Sequence, residues 1–410
     1  MKKNFYPVVA LLVLMATALA CASPLGGGQP SSPDQVATVV AATFQALTPV
    51  TTDIETPVPA PAGLLPHAMY FVNNDGTGIA QVFRLGTDGK AITQITFEPF
   101  AVGSYDVSQV DGSVVYVSNN QLLLINADGS GRRMLTDGGP IDPNNPFTTS
   151  LSSPVFSPNG QTIAYSNKGL ILYAVSTGVS NIALEKQVVD PVTGAYVPGE
   201  MYIPQKYSPD GTKLLLTTAI PNSDGISSGI YSIATNALVR LSGGDGARLC
   251  CSEQAWTSDS SALYVGIPFM GMFGPGLWRA DAATGNMTTL LPAETGDGNF
   301  NFANEPYLAP DGQLYFFFAS RPAPDGFADN VPLQIVRSAP DGVTGRTVLR
   351  LETFEALNEA LWAPDASFVI VAKAPDVSAY DGGVLELYYI DGTKSMISLL
   401  PFGQQLKWGL

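Results

Sequence analysis

The chain has 410 residues, of which only 13% are charged, and the charge is unbalanced: 20 Lys and Arg against 35 Asp and Glu, a net −15. Nucleic acids and other polyanions need a basic footprint, so no nucleic-acid partner is expected. Three cysteines and a single histidine leave little for a zinc site, which takes several Cys or His ligands at short spacings, and neither a metal nor another cofactor is expected.

The first element is a processing segment. Lys2 and Lys3 give a positive start, and Val8 to Ala20 form an apolar run of 13 residues, too short to span a bilayer comfortably as a helix. The run ends in Ala18-Leu19-Ala20-Cys21. This resembles a bacterial lipoprotein signal: the small Ala20 and Cys21 match, while Ala18 stands where leucine is usual. The resemblance implies a signal peptide over residues 1–20 and lipidation of Cys21. The protein would then be exported and held on the outer face of a membrane of the cell envelope, each buried acyl methylene contributing about 0.8 kcal/mol. Residues 21–66 are rich in Pro, Ser, Thr, Gly and Ala, as in Pro57-Val-Pro-Ala-Pro61. Such a stretch cannot bury a core and reads as a flexible tether. Within it, Asp34 can cap a short helix over about 34–47, with Pro49 just past its end.

From residue 67 to residue 410 one unit of about fifty residues recurs. Its clearest copies read Phe156-Ser-Pro-Asn-Gly160 and Tyr207-Ser-Pro-Asp-Gly211, and looser ones read Trp256-Thr-Ser-Asp-Ser260, Leu308-Ala-Pro-Asp-Gly312 and Trp362-Ala-Pro-Asp-Ala366. The turn residues Asp111, Asn159, Asp210, Asp259, Asp311 and Asp365, five acids and one amide, follow one another at gaps of 48, 51, 49, 52 and 54 residues. Each turn is followed by an almost wholly apolar strand, such as Tyr315-Phe-Phe-Phe318 or Phe368-Val-Ile-Val-Ala372, then a third strand, a second tight turn and a fourth. Strands apolar on both sides must be covered on both faces. Four-stranded antiparallel sheets packed radially, face against face, satisfy that requirement in a β-propeller.

The segments Met69–Val72, Gln81–Leu85 and Ile92–Ile95 supply three strands without a first. The C-terminal Gln405-Leu-Lys-Trp408 looks like the missing one, because Trp408 stands where Trp256 and Trp362 stand. The expected fold is therefore all-β: a seven-bladed β-propeller over 67–410, closed by the C-terminal strand pairing with the N-terminal blade, with six blades as the alternative. Closure removes an open sheet edge.

The Ser-Pro-Asp-Gly strand and the string Asn126-Ala-Asp-Gly-Ser-Gly-Arg-Arg-Met-Leu-Thr136 resemble the TolB-type propeller repeat. Members of that family serve as periplasmic protein-binding modules, as gating domains of peptidases and as lipoproteins of other kinds. The resemblance implies the fold; function has to come from a site.

The tight turns are short and lie on one side, whereas the other loops are long, as in Gly266–Gly276, Arg321–Pro332 and Ala374–Gly383. Phe269, Met270, Met272 and Phe273 crowd one such loop, and Phe327 stands in another. They are the candidate ligand-binding residues, either as a recognition patch or as a loop folded back on its blade. Asp142, Asp190, Asp224, Asp297, Asp325, Asp329, Asp376 and Asp381 lie in the long loops without the spacing of a calcium motif and read as solvated turns. Cys250 and Cys251 point to opposite faces of a strand, and two packed thiols are expected in preference to a strained disulfide.

A Ser-His-Asp set would have to use His67, and no Gly-x-Ser-x-Gly elbow occurs. Arginines such as Arg84, Arg132, Arg133 and Arg279 lie near repeat turns and strands. The expectation is a monomeric, lipid-anchored binding or scaffold module for an envelope protein, peptide or glycan, and not an enzyme. The alternative is a glycan-active enzyme using two carboxylates roughly 5–10 Å apart.

Overall fold

A computed structural model describes residues 63–143, 149–186, 199–220, 226–242, 253–270, 274–323, 331–376 and 378–410. Every named element among them is a β-strand. The first three are β1 (Met69–Asn74), β2 (Ala80–Leu85) and β3 (Ile92–Gln94). A second group holds β4 (Val102–Val107), β5 (Val114–Ser118), β6 (Gln121–Ile125) and β7 (Arg133–Asp137). The third is β8 (Ser152–Phe156), β9 (Thr162–Asn167), β10 (Gly169–Ala174) and β11 (Val179–Glu185). The fourth is β12 (Met201–Tyr207), β13 (Lys213–Ala219), β14 (Ile226–Ser232) and β15 (Ala237–Arg240). The fifth is β16 (Glu253–Trp256), β17 (Ala262–Ile267), β18 (Gly276–Asp281) and β19 (Met287–Leu291). The sixth is β20 (Asn299–Leu308), β21 (Leu314–Pro322), β22 (Gln334–Ser338) and β23 (Thr347–Val348), and the chain ends with β24 (Leu357–Trp362), β25 (Phe368–Lys373), β26 (Gly383–Tyr389) and β27 (Ile397–Trp408).

All pairings between these strands are antiparallel, and the second to sixth groups are each a four-stranded sheet in chain order. The remaining strands make one sheet in the order β24-β25-β26-β27-β1-β2-β3. β27 belongs to both ends of the chain. Its first half pairs with β26, Leu385 opposite Leu400, and its second half pairs with β1, Met69 opposite Trp408 and Tyr70 opposite Lys407. The tail segment around Trp408 therefore stands beside the first three strands, as the repeat spacing predicts. This is a β-propeller fold, and its logic lies in how the sheets face one another.

Along β5 the side chains alternate between two cores. Val114 and Tyr116 enter a cluster shared with β1 and β2, while Val115 and Val117 enter one shared with β8, β9 and β10. Along β21, Phe316 packs against β17 and β18, and Tyr315 and Phe317 pack against β24 and β25. Along β25, Val369 and Val371 turn to the sixth group while Ile370 and Ala372 turn to β1 and β2. Strand geometry sends consecutive side chains to opposite faces, and here both faces are buried. Each fully buried Phe or Val contributes about 1.5–3 kcal/mol through the water it leaves.

The recurring turn is one structure repeated. The residue after each of those turn positions has a left-handed backbone: Gly112, Gly160, Gly211, Ser260, Gly312 and Ala366, with φ between 57° and 79°. Glycine adopts this region without cost, whereas Ser260 and Ala366 do so at some strain. Each acid accepts the N–H two residues on, as Asp210 does from Thr212 at 3.0 Å and Asp259 from Ser261 at 3.0 Å. Such side chain to backbone bonds fix turns of this kind.

At Asp210 and Asp259 these bonds also hold the carboxyl ionised. Asp259 falls to about 2 because the Thr257 hydroxyl and the Ser261 N–H favour its charged form. For Asp210 burial pulls upward, but the Ser208 hydroxyl and Thr212 outweigh it and the group also falls to about 2. In the unfolded chain an aspartate titrates at about 3.9. A carboxylate depressed in the folded state stabilises fully above about pH 4, and that stabilisation drains away as the pH falls towards about 2. The melting temperature of the Asp210→Asn, Asp259→Asn double variant is expected to fall less steeply than the wild type's between pH 4 and pH 2; superimposable pH profiles would refute the assignment.

Candidate functional site

Strand polarity decides where loops emerge. In each four-strand group the loop between the second and third strands and the segment leaving the fourth lie on one side, and the two tight turns lie on the other. The three most exposed large apolar residues belong to the first set: Leu351 at 88%, Tyr380 at 84% and Phe97 at 72%. Phe100, on the same connector as Phe97, is 54% exposed.

Phe97 and Phe100 are held in place by the residue next to one of them. Glu98 is buried, and its carboxylate receives Arg132 through two N–H bonds of 2.6 and 2.9 Å and the Tyr116 hydroxyl at 2.7 Å. The Arg132 guanidinium, bonded to it, keeps Glu98 below the usual carboxylate range. The main chain of Glu98 is also bonded on both sides to the Gln81 amide, which accepts from its N–H at 3.1 Å and donates to its carbonyl at 2.8 Å. Thr96 completes the network by donating to Gln81 at 2.7 Å. A fully satisfied buried network of this kind is rigid, so the two phenyl rings stand on a fixed base.

Leu351 is placed in a similar way. Its neighbours Arg350 and Glu352 form a two-bonded ion pair, and the buried Arg350 also donates to the carbonyls of Tyr389 at 2.7 Å and Lys394 at 3.1 Å. The loop that carries Tyr380 is tied to β24: the Asn358 amide donates to the carbonyls of Ala379 at 2.9 Å and Gly382 at 2.7 Å.

The innermost strands carry the chain's other concentration of polar groups. Most of them are bulged, and Ser153, Glu305 and Gln405 have left-handed backbones with φ of 52°, 49° and 55°. Bulges re-aim side chains, and these reach the next strand group. Glu305 accepts the N–H of Ala360 at 2.9 Å. Glu359 accepts those of Gln405 and Leu406 at 2.6 and 2.8 Å. Lys407 pairs with Asp106 at 2.9 Å, and Asp106 accepts the N–H of Phe156 at 2.7 Å. Indole N–H groups add two more ties, Trp362 to the Glu305 carbonyl at 2.9 Å and Trp408 to the Trp362 carbonyl at 2.7 Å. Burial pushes the Glu359 carboxyl up, while the two main-chain N–H groups pull it back. These carboxylates are occupied as acceptors, and what the arrangement does is stitch neighbouring strands together. Among the described residues no three His, Cys, Asp or Glu side chains gather as a metal site would require.

The residues singled out in the sequence divide. Phe269 and Met270 are half-buried, Phe269 packed on the cluster between the fourth and fifth groups and Met270 on the one that joins β20 and β21 to β24 and β25. Met272, Phe273, Phe327 and Cys21 lie outside the described residues, as do the short helix, Cys250, Cys251, Asp190, Asp224, Asp325 and Asp329. Asp297 and Asp376 cap their own turns, Asp297 accepting from Asn299 and Asp376 from Ser378. Phe97, Phe100, Leu351, Tyr380 and the inner acids did not come from sequence reasoning. For the acids a signal existed: Glu253, Glu305 and Glu359 each stand three residues before the position of Trp256, Leu308 and Trp362.

No protein-family model matches the chain, and no curated protein matches it. Solved structures do. An oligogalacturonate lyase in complex with manganese is 11% identical with a TM-score of 0.51, over 83% of this chain and 86% of that one. A prolyl endopeptidase structure is 13% identical with a TM-score of 0.51, over 86% of this chain and 50% of that one. TolB from Acinetobacter baumannii is 17% identical with a TM-score of 0.44, over 93% of this chain and 74% of that one. At such identities the likeness is one of fold. It nonetheless corrects one expectation. The sequence reading set enzymes aside, yet the fold is shared with a lyase and a peptidase, so the scaffold gives no ground for that exclusion.

Removing Glu359 leaves two main-chain N–H groups without their acceptor, at about 1–3 kcal/mol each. Glu359→Ala should therefore lower the melting temperature by several degrees, and Glu359→Gln, which keeps an acceptor oxygen, by less. Equal melting of Glu359→Ala and wild type would remove the stitching role.

Proposed function

We propose that this chain is an exported, lipid-anchored β-propeller of seven blades that serves as a binding or scaffold module of the cell envelope, working as a monomer. The seven-blade ring is supported by seven apolar clusters that join the strand groups in succession, the last of them joining β25 and β26 to β1 and β2. Export and anchoring rest on the Lys2–Cys21 segment and on the Pro-rich stretch that follows it.

The observation that carries the binding role is the exposure of Phe97, Leu351 and Tyr380 on loops of one side, with Phe97 and Leu351 each next to a buried ion-paired residue. Exposed aromatic and aliphatic groups on a rigid base are what a partner protein or peptide buries first. Phe269 and Met270 pack on neighbouring cores and do not carry the proposed surface, and Met272, Phe273 and Phe327 lie outside the described residues. A glycan of the envelope would use the rings of Phe97 and Tyr380.

The second reading is a carboxylate-dependent glycan-active enzyme. It is supported by the likeness in fold to an oligogalacturonate lyase. Release of new reducing ends from an acidic oligosaccharide would decide for it.

The Phe97→Ser, Leu351→Ser, Tyr380→Ser triple variant should melt within a few degrees of wild type and lose at least ten-fold in capture of whatever envelope component the wild-type chain retains. Undiminished capture would sink the proposed surface. Cys21→Ala should move the full chain from the membrane fraction to the soluble one, and persistence in the membrane fraction would rule out the lipid anchor.

A further inference from the structure

A groove of about 820 Å³ lies on the tight-turn side, between the β20–β23 sheet and the strands β25 and β26. Its size is that of a pocket for a small organic ligand. Its lining includes the apolar side chains of Leu64, Val348, Leu349 and Ile390. The other features are two cations, Arg337 and Lys394, and two acids, Asp365 and Asp391.

The charges are unequal in what they have left to offer. Asp365 already accepts from the N–H and hydroxyl of Ser367, and Asp391 accepts from the N–H of Thr393 at 3.0 Å. Arg337 lies against the Tyr315 hydroxyl, which itself donates to Asp311. Lys394 holds its ammonium 4.3 Å above the ring of Tyr389. Neither cation makes an ion pair among the described residues, where Arg132, Arg240, Arg350 and Lys407 each do. Asp391 feels the charge of Lys394, yet no carboxylate of the groove comes within ion-pair distance of either cation, and both acids already accept from their own turns. A guanidinium carries five N–H donors in a planar fork that fits a carboxylate, and an ammonium carries three. The groove thus combines hydrogen-bond donors with apolar side chains.

We propose that this groove binds an amphiphilic monocarboxylate, with its anionic head between Arg337 and Lys394 and its apolar body along Leu64, Val348, Leu349 and Ile390. The groove shares no residue with the surface assigned to a partner, although Leu351 of that surface stands two residues from Leu349, and it does not depend on that assignment.

Calorimetric titration of the full chain with octanoate, octanamide and acetate separates the two requirements. Octanoate should bind saturably, with octanamide and acetate each at least ten-fold weaker. Arg337→Gln, Lys394→Gln should weaken octanoate at least ten-fold without lowering the melting temperature. Val348→Asp, on the exposed part of the apolar lining, should weaken it as well while sparing the fold. Binding of octanamide as tight as that of octanoate would show a purely apolar groove and overturn the proposal. So would the absence of octanoate binding at millimolar concentration, or equal binding by the double variant.

Discussion

The whole fold depends on strands that are apolar on both faces. A sheet such as β12–β15 can hide Leu214 and Leu216 only against its predecessor and Leu215 only against its successor. No group is stable by itself, because half of what it buries lies in a neighbour. A one-residue slip of β13 would exchange the two sets and place each against the wrong partner, so register is fixed from both directions at once. The tight turns serve this arrangement. By holding each β-hairpin at one length they keep the alternation in phase from group to group.

A second set of interactions works at the inner strands, where apolar burial gives way to polar stitching. Glu305, Glu359 and Asp106 each spend carboxylate oxygens on main-chain N–H groups of the following group. Main-chain groups freed by a bulge need such acceptors. The lyase and the peptidase structures share this fold at 11% and 13% identity.

The repeat made the fold legible. The Asp-Gly turns, the apolar second strands and the position of Trp408 are local features with fixed spacing, and all of them are where the pattern puts them. The surface was less legible. Phe97 and Leu351 look unremarkable in the sequence, because their exposure is set by Glu98 and Arg350, whose partners Arg132, Tyr116, Tyr389 and Lys394 are 18 to 44 residues away. Phe269 and Met270 show the converse. A cluster of apolar residues in a loop reads as a patch, but two of its members pack on neighbouring cores. The groove at Arg337 and Lys394 is assembled from two groups and from Leu64, so no single segment announces it.

The shared strand β27 has a temporal consequence. β1 is made early, yet the strand that covers its edge lies some 330 residues later in the chain. At a synthesis rate of roughly 5–20 residues per second, that edge waits tens of seconds for its neighbour. During that interval the first three strands are a nascent, sticky fragment, and a chaperone that shields an open β-edge would act here before anywhere else in the molecule.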